Sequence, residues 1–340
     1  MVRFVGGLAS AALSLVLSVG FATSAAADVR GPDVSSHQHP SGYTINWISA
    51  KIAGSEFAFV KATEGLSYTN PYFATDFAEL AGAQLARGAY HYARPRPGVE
   101  DAVAQANHFV AVTGPLNAIG DLPPVLDLER DDGLSPAELI VWTDAYLTEV
   151  ARLTARTPII YTYPAFWRSS MADTTLFNHY PLWIATYGPQ PILVGGWSDY
   201  TFWQYTDKEP LAGMSAPVDM SVFKGSSADL AALADPLNSP LIEPRAPEIT
   251  FALSATTVRV GSTVTLTGST FGIPAGETLY RQGYWSGTWH TWDTVQVSDT
   301  GAYSFTIRPT VKAVNTYRLY VAPTADHPAV ESPTFTLRAK

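Results

Sequence analysis

The sequence has no cysteine, so neither disulfides nor a lipidated N-terminal cysteine can be part of it, and its domains must be held by their apolar cores. Charge is sparse and tilted to one sign: 21 Lys and Arg against 30 Asp and Glu leave a formal net charge of −9. No Lys/Arg cluster is dense enough to form a phosphate-binding face, which argues against a nucleic-acid partner. Long apolar runs are also scarce. The one at the start, Phe4 to Val19, follows Arg3 and precedes Ala25-Ala26-Ala27, the pattern of a secretory signal peptide over residues 1–27 with cleavage before Asp28. It is short for a membrane span, and no second run of about 18 apolar residues follows. The expectation is a secreted, extracellular protein, monomeric, with no membrane anchor, no cofactor and no metal.

Aromatic side chains are what the sequence has in quantity: 17 Tyr, 15 Phe and 9 Trp. Rings with one polar end suit sugars, whose C–H faces stack while their hydroxyls bond outward, although large β-containing cores also consume aromatics. A length of 340 residues points to about two domains. From residue 28 to 235 short apolar runs recur, at 29–35, 57–63, 88–92, 123–129, 158–163, 181–187, 201–205 and 218–223. Helical patterns separate the early ones: Asn70-Pro71 before Phe73, Phe77 and Leu80, a stretch near 100–112, and the capping box Ser135 to Glu138 ahead of Leu139, Trp142, Tyr146 and Val150. The late links are few and rich in Gly, Pro and Asp, with little room for packed helices. The fold class is therefore α/β, a modified β/α barrel with irregular late units. A proline-rich linker over 236–247 follows, and residues 248–340 alternate in the manner of about seven short strands, as in an immunoglobulin-like β-sandwich.

Functional residues of such barrels gather at the carboxyl ends of the strands. Asp33 ends the first run, and Asp127 and Glu129 end the fourth, pointing the same way with one residue between them. Asp219 lies in the eighth, beside the first strand once the barrel closes. Four acids at one mouth raise one another's pKa values, which is how a carboxyl stays protonated to act as an acid. Two close carboxyls are what cleavage of a sugar linkage requires, one to protonate the leaving oxygen and another charge to steady the cation.

Asp-Val-Ser at 33–35, Phe-Val-Lys-Ala-Thr-Glu-Gly at 59–65, Gly-Ala-Tyr-His-Tyr at 88–92, Pro-Val-Leu-Asp-Leu-Glu at 124–129, Trp-Ile-Ala-Thr-Tyr at 183–187, Phe-Trp-Gln-Tyr at 202–205 and Val-Asp at 218–219 follow in order. Together they resemble glycoside hydrolase family 25, the Chalaropsis-type lysozymes. The resemblance spans about residues 30–224. It implies an N-acetylmuramidase that cuts the β-1,4 bond from N-acetylmuramic acid to N-acetylglucosamine in peptidoglycan. It also implies Glu129 as general acid, with Asp33, Asp127 and Asp219 at the family's other acidic positions. Resemblance to hydrolases with an Asp-x-Glu strand end implies that the substrate's 2-acetamido oxygen attacks the anomeric carbon while Asp127 orients it. A second carboxylate as nucleophile, or as base in an inverting route, is the competing reading. The sequence departs from the family pattern at Pro32, in the longer loop 37–44 and at Ser221. These departures bear on substrate fit.

Tyr92, Tyr163, Tyr187 and Trp203, at or near strand ends, are candidate sugar-stacking residues. His37 and His39 have an i,i+2 spacing seen at metal sites but no third ligand in sight, and His91 reads as a hydrogen-bonded barrel residue. Lys61 and Glu64 can pair near the rim. In the last domain Tyr284, Trp285, Trp289 and Trp292 crowd one hairpin, as a wall-binding stripe or as part of a sandwich core. The expected partner is the peptidoglycan glycan strand. A catalytically silent glycan-binding protein on the same barrel is the rival reading. It has no need of the proton donor Glu129.

Overall fold

The computed structural model describes Met1 and residues 28–238, 246–274, 276–298, 301–324 and 328–340. Apart from Met1, the expected signal segment lies outside them, as do residues 239–245 of the expected linker.

The apolar runs of the first 235 residues form β1 (Arg30–Val34), β2 (Phe57–Glu64), a two-residue flap β3 (Tyr68–Thr69), β4 (Ala86–Tyr92), β5 (Val125–Asp127), β6 (Ile159–Thr162), β7 (Leu182–Ala185), β8 (Phe202–Glu209) and β9 (Val218–Phe223). They hydrogen-bond in the order β1-β9-β8-β7-β6-β5-β4-β2, and pairing of β1 with β2 closes the ring while β3 hangs on β2. Helices α1 (Trp47–Ile52), α2 (Phe73–Gly82), α3 (Val99–Thr113), α4 (Pro136–Thr154), α5 (Pro164–Ser170) and α6 (Ser227–Leu233) accompany the strands. Among the described residues no helix separates β7 from β8 or β8 from β9, as the short late links require. Those between β8 and β9, residues 210–217, are too few for a parallel crossover, which takes about a dozen or more. β9 accordingly runs antiparallel to both β8 and β1, while the other barrel pairs are parallel.

Alternation along each strand divides the core into two. Phe57, Phe59, Tyr90, Val125, Tyr161, Trp183 and Phe202 fill the barrel, while Val60, Ala89, Leu126, Ile160 and Ile184 face the helices with Phe109, Leu139, Trp142 and Leu147. Gly88 makes room for this filling, because a Cβ there would stand 2.0 Å from the Phe59 ring. The Ser135–Glu138 capping box is present at the start of α4 and contributes on the order of 1 kcal/mol to helix stability.

Several element boundaries differ from the sequence expectation. The fourth strand keeps only three residues, and Glu129 stands beyond its end. α2 begins at Phe73 because Asn70 first makes a turn, its side chain accepting from the Tyr72 amide and its carbonyl from the Phe73 amide, both at 3.1 Å. In the alternating region 248–340, Gly261, whose φ is 84°, takes the chain through a turn between β11 (Thr257–Val258) and β12 (Val264–Phe271).

The last part of the chain adds β10 (Glu248–Leu253), β13 (Thr278–Trp285), β14 (Thr288–Gln296), β15 (Ala302–Ile307), β16 (Ala313–Val321), β17 (Val330–Glu331) and β18 (Phe335–Ala339). One sheet is ordered β10-β12-β15, the other β11-β18-β16-β13-β14 with β17 on β16. Ile249, Leu266 and Phe305 of the first meet Leu279, Leu319 and Leu337 of the second in one buried core. In the β13–β14 hairpin the aromatic residues divide between the two faces. Tyr284 pairs with Trp289 at 5.1 Å, whereas Trp285 stacks on His290 at 3.9 Å and meets Trp292 edge-on at 5.5 Å. Tyr284, Trp285 and Trp292 are exposed.

Candidate active site

The parallel strands deliver their carboxyl ends to one mouth of the barrel. Asp33 lies near the end of β1, Asp127 is the last residue of β5, and Glu129 follows one residue later on the same face. Because β9 is reversed, it reaches that mouth with its beginning, and Asp219, its second residue, pairs in register with Asp33. The four acids line one cleft of about 580 Å³ with Tyr90, Tyr92, Tyr161, Trp183, Tyr187, Gln204 and Asp207. That is a volume suited to a few sugar units rather than a single small ion.

Burial dominates the electrostatics. It lifts Asp33 well above the usual aspartate range, with repulsion from Asp219 and Glu129 added and a hydrogen bond from Gln204 opposing. Asp219 is raised to about 6 by burial and by Asp207, against a hydrogen bond with Asp33. Asp127 is also held well above its ordinary range, by burial first and then by the charge of Glu129. Glu129 is raised by burial, with Asp219 adding and Lys61 and a hydrogen bond from Asp127 opposing. Each pair thus retains a proton that isolated carboxyls would have lost. Asp127 Oδ1 is buried and has no hydrogen-bond partner among the described residues. A buried carboxylate oxygen in that condition can accept a hydrogen bond from water or from a bound molecule.

Gln204 is the hub of the opposite wall. Its Oε1 accepts from the hydroxyls of Tyr161 and Tyr187, both at 3.1 Å, which turns its amide nitrogen to donate to Asp33 Oδ2 at 2.9 Å. The rim carries a chain of ion pairs: Lys61 to Glu64 at 2.6 Å, Arg94 to Glu64 at 3.1 Å and to Asp132 at 2.6 Å, and Arg130 to Asp132 at 2.8 Å. Lys61 Nζ lies 4.5 Å from the centre of the Tyr92 ring.

Of the four aromatic residues singled out in the sequence, Tyr92 and Tyr187 line the cleft. Tyr163 does not; it lines a neighbouring depression. Trp203 is outside both, packed on the outer core with its indole N–H donating to the Thr186 carbonyl at 2.8 Å. The reason is alternation: Gln204 points into the barrel, so its neighbour on β8 must point out. His37 borders the cleft, but His39 is buried between Asp76 Oδ2 at 2.8 Å and the Tyr43 carbonyl at 2.7 Å, so the two do not converge. His91 bonds Thr63 and Gln105 in the core, and burial lowers its pKa to about 3. Ser221 accepts from the Trp183 indole at 3.0 Å, which fixes a ring of the cleft floor. The sequence alone does not mark Gln204, Tyr161 and Trp183 as site residues, although all three line the cleft. A polar residue amid the apolar run 202–205 was the available signal for Gln204.

The model of the glycosyl hydrolases family 25 matches residues 32–214, more than half of the chain. Lysozyme M1 of Streptomyces globisporus is 35% identical over 216 residues, covering 61% of this chain and 71% of its own length. The N,O-diacetylmuramidase of Chalaropsis sp is 36% identical over 207 residues, covering 57% of this chain and 95% of its own. Among solved structures, a bacterial lysozyme from Streptomyces coelicolor superposes with a TM-score of 0.58 at 34% identity, covering 62% of this chain and 98% of that one.

Proposed function

The chain belongs to glycosyl hydrolases family 25, and from that premise we propose that it is a secreted muramidase cutting the β-1,4 bond from N-acetylmuramic acid to N-acetylglucosamine in peptidoglycan, with Glu129 as general acid. It is a glycoside hydrolase of the lysozyme type. The observation that carries the assignment of roles is the Asp127–Glu129 pair at the cleft floor, two carboxyls on one face holding protons above the ordinary range.

On this reading the muramic acid sits over Asp127, and its acetamido N–H supplies the donor that Asp127 Oδ1 lacks. That bond favours the ionised form of Asp127, so the proton of the pair passes to Glu129. Glu129 then protonates the glycosidic oxygen as the C1–O bond breaks, and the acetamido oxygen closes on C1. The carboxylate left on Glu129 takes a proton from water, which adds to C1 and reopens the ring with net retention. Asp33 and Asp219 hold negative charge toward the cation developing at C1. Tyr92 and Tyr187 offer faces to the sugar. In this proposal residues 28–235 are the catalytic unit, residues 236–247 a linker, and residues 248–340 an immunoglobulin-like module that acts on the same polymer by holding the enzyme near it.

The test is the chemistry of the ends produced. Purified walls treated with the protein and then reduced with borohydride are expected to yield the alditol of muramic acid. Reduced glucosamine in its place would mean a different bond is cut, and no reduced sugar would favour the silent glycan-binding reading.

A further inference from the structure

An antiparallel sheet packed on one side reads apolar inward and polar outward. In the last domain the smaller sheet obeys this. Thr265 and Thr267 of β12 pair with Thr306 and Ser304 of β15 on its outward face, while Leu266, Phe305 and Ile307 point into the core. The larger sheet does not. Leu279, Leu319 and Val321 are its inward residues, so alternation turns Tyr280, Gln282 and Tyr284 of β13 and Arg318 and Tyr320 of β16 outward. Trp289 of β14 joins them, since it pairs with Tyr284. Among the described residues no helix follows α6 to cover this face. We propose that the outward face of β14, β13 and β16 binds the neutral glycan backbone of peptidoglycan; this rests on the muramidase reading above and names the surface by which the module holds the polymer.

The outward rings form one band. Tyr284 meets Trp289 with ring centres 5.1 Å apart, and Tyr280 meets Tyr320 at 6.1 Å. The Arg318 guanidinium bridges the two pairs, 4.5 Å from the centre of Trp289 and 5.4 Å from that of Tyr320. Tyr280 and Tyr284 are four strand steps apart, roughly 13 Å, a length that seats a short run of pyranose rings. Tyr284 is exposed and the other three rings are half-buried, so each keeps ring surface toward solvent. Trp285 and Trp292 are also exposed, but on the opposite, core side. There Trp292 meets the buried Tyr317 edge-on at 6.2 Å, and the two tryptophans close the end of the core.

Charge selects the occupant. Arg318 donates from Nε to Gln282 Oε1 at 2.9 Å and pairs through Nη1 with Glu331 at 2.6 Å. The cation of the band is therefore neutralised within the sheet, and an anionic polymer would have to displace Glu331 to reach it. A neutral sugar chain meets no such competition. Its C–H faces lie on the rings while its hydroxyls and acetamido groups bond outward. Partners for them stand along the band: neither Arg318 bond uses Nη2, and the exposed Thr291 and Thr294 pair with Gln282 and Tyr280 on the same face.

The experiment measures the Kd of the full chain for insoluble peptidoglycan, with Glu129→Gln as background so that the walls stay intact. Walls are prepared with and without their phosphate-containing polymers. Tyr284→Ala, Trp289→Ala and Trp285→Ala are each added to the background. Tyr284 is exposed, so its removal leaves the core untouched and decides the matter even if Trp289→Ala melts early. Tyr284→Ala and Trp289→Ala are expected to raise Kd at least about tenfold on both preparations, as loss of a central aromatic anchor does. Trp285→Ala is expected to stay close to the background value. An equal or greater loss with Trp285→Ala, no loss with any variant, or binding confined to walls that keep their phosphate polymers overturns the proposal. A dimer in solution that Tyr284→Ala dissociates also overturns it, because the face then serves a second copy of the chain. The muramidase reading is judged apart, by sugar release with the unsubstituted protein. Binding through this face without release overturns that reading and leaves the surface standing.

Discussion

Gln204 and Asp33 are 171 residues apart in the chain and joined by a 2.9 Å hydrogen bond that passes over the intervening strand β9. The amide cannot turn away, because the Tyr161 and Tyr187 hydroxyls both donate to its oxygen. Its donation favours the ionised form of Asp33 against burial and the charge of Asp219. Gln204→Leu removes that donor. A hydrogen bond to a charged group contributes about 1.5–3 kcal/mol, so kcat is expected to fall roughly 10- to 100-fold. The acidic limb of the pH–rate profile should move to higher pH, since Asp33 then ionises later. An unchanged limb would mean that Asp33 does not act as a charge.

Stability should carry the mark of the raised carboxyls. Between the ordinary aspartate value of 3.8 and about 6, folded Asp219 keeps a proton that the unfolded chain has lost. The native state then binds more protons, so stability falls as pH rises through this window. Asp219→Asn cannot titrate, and its melting temperature is expected to gain on the parent from pH 4 to pH 7. A constant difference across that range would contradict the assignment.

Much of this architecture is legible in the sequence, and the rest fails for definite reasons. Apolar runs and the capping box of α4 locate the barrel elements, and the acids at 33, 127, 129 and 219 are found because strand ends meet at one mouth. The direction of β9 is not visible in its own residues; it follows from the shortness of 210–217. An aromatic near a strand end looks like a sugar platform, so the sequence favours Trp203 over its neighbour Gln204. Which of two neighbours faces inward depends on register, and that is set by tertiary pairing. The place of Tyr163 depends on the turn into α5, where Pro164 starts the helix at once.

Anomeric configuration separates the proposed route from its rival. Substrate assistance needs the acetamido group, so walls chemically stripped of N-acetyl groups on muramic acid should resist cleavage. Fresh product followed by proton NMR is expected as the β-anomer. The α-anomer first would mean inversion, with Asp33 or Asp219 as the base.

The two-sheet module has its own buried core and an aromatic hairpin with Tyr284, Trp285 and Trp292 exposed. Domains with separate cores joined by a linker usually fold independently, and tethering to an insoluble polymer raises effective concentration. Residues 28–235 alone should keep activity on soluble muropeptides and lose part of it on whole walls, while residues 246–340 sediment with insoluble walls. Equal activity on both substrates without sedimentation would make the module a spacer.

The central claim is that Glu129 gives the proton, and its most direct measurement is the rate of wall lysis by Glu129→Gln. The amide preserves the shape of the side chain and cannot release a proton. General acid catalysis is worth roughly 10² to 10⁴ in rate. A folded variant, with the melting curve of the parent, is expected to lose at least that range in initial rate of reducing-end release. A variant with normal melting that lyses walls at close to the parent rate would contradict the account.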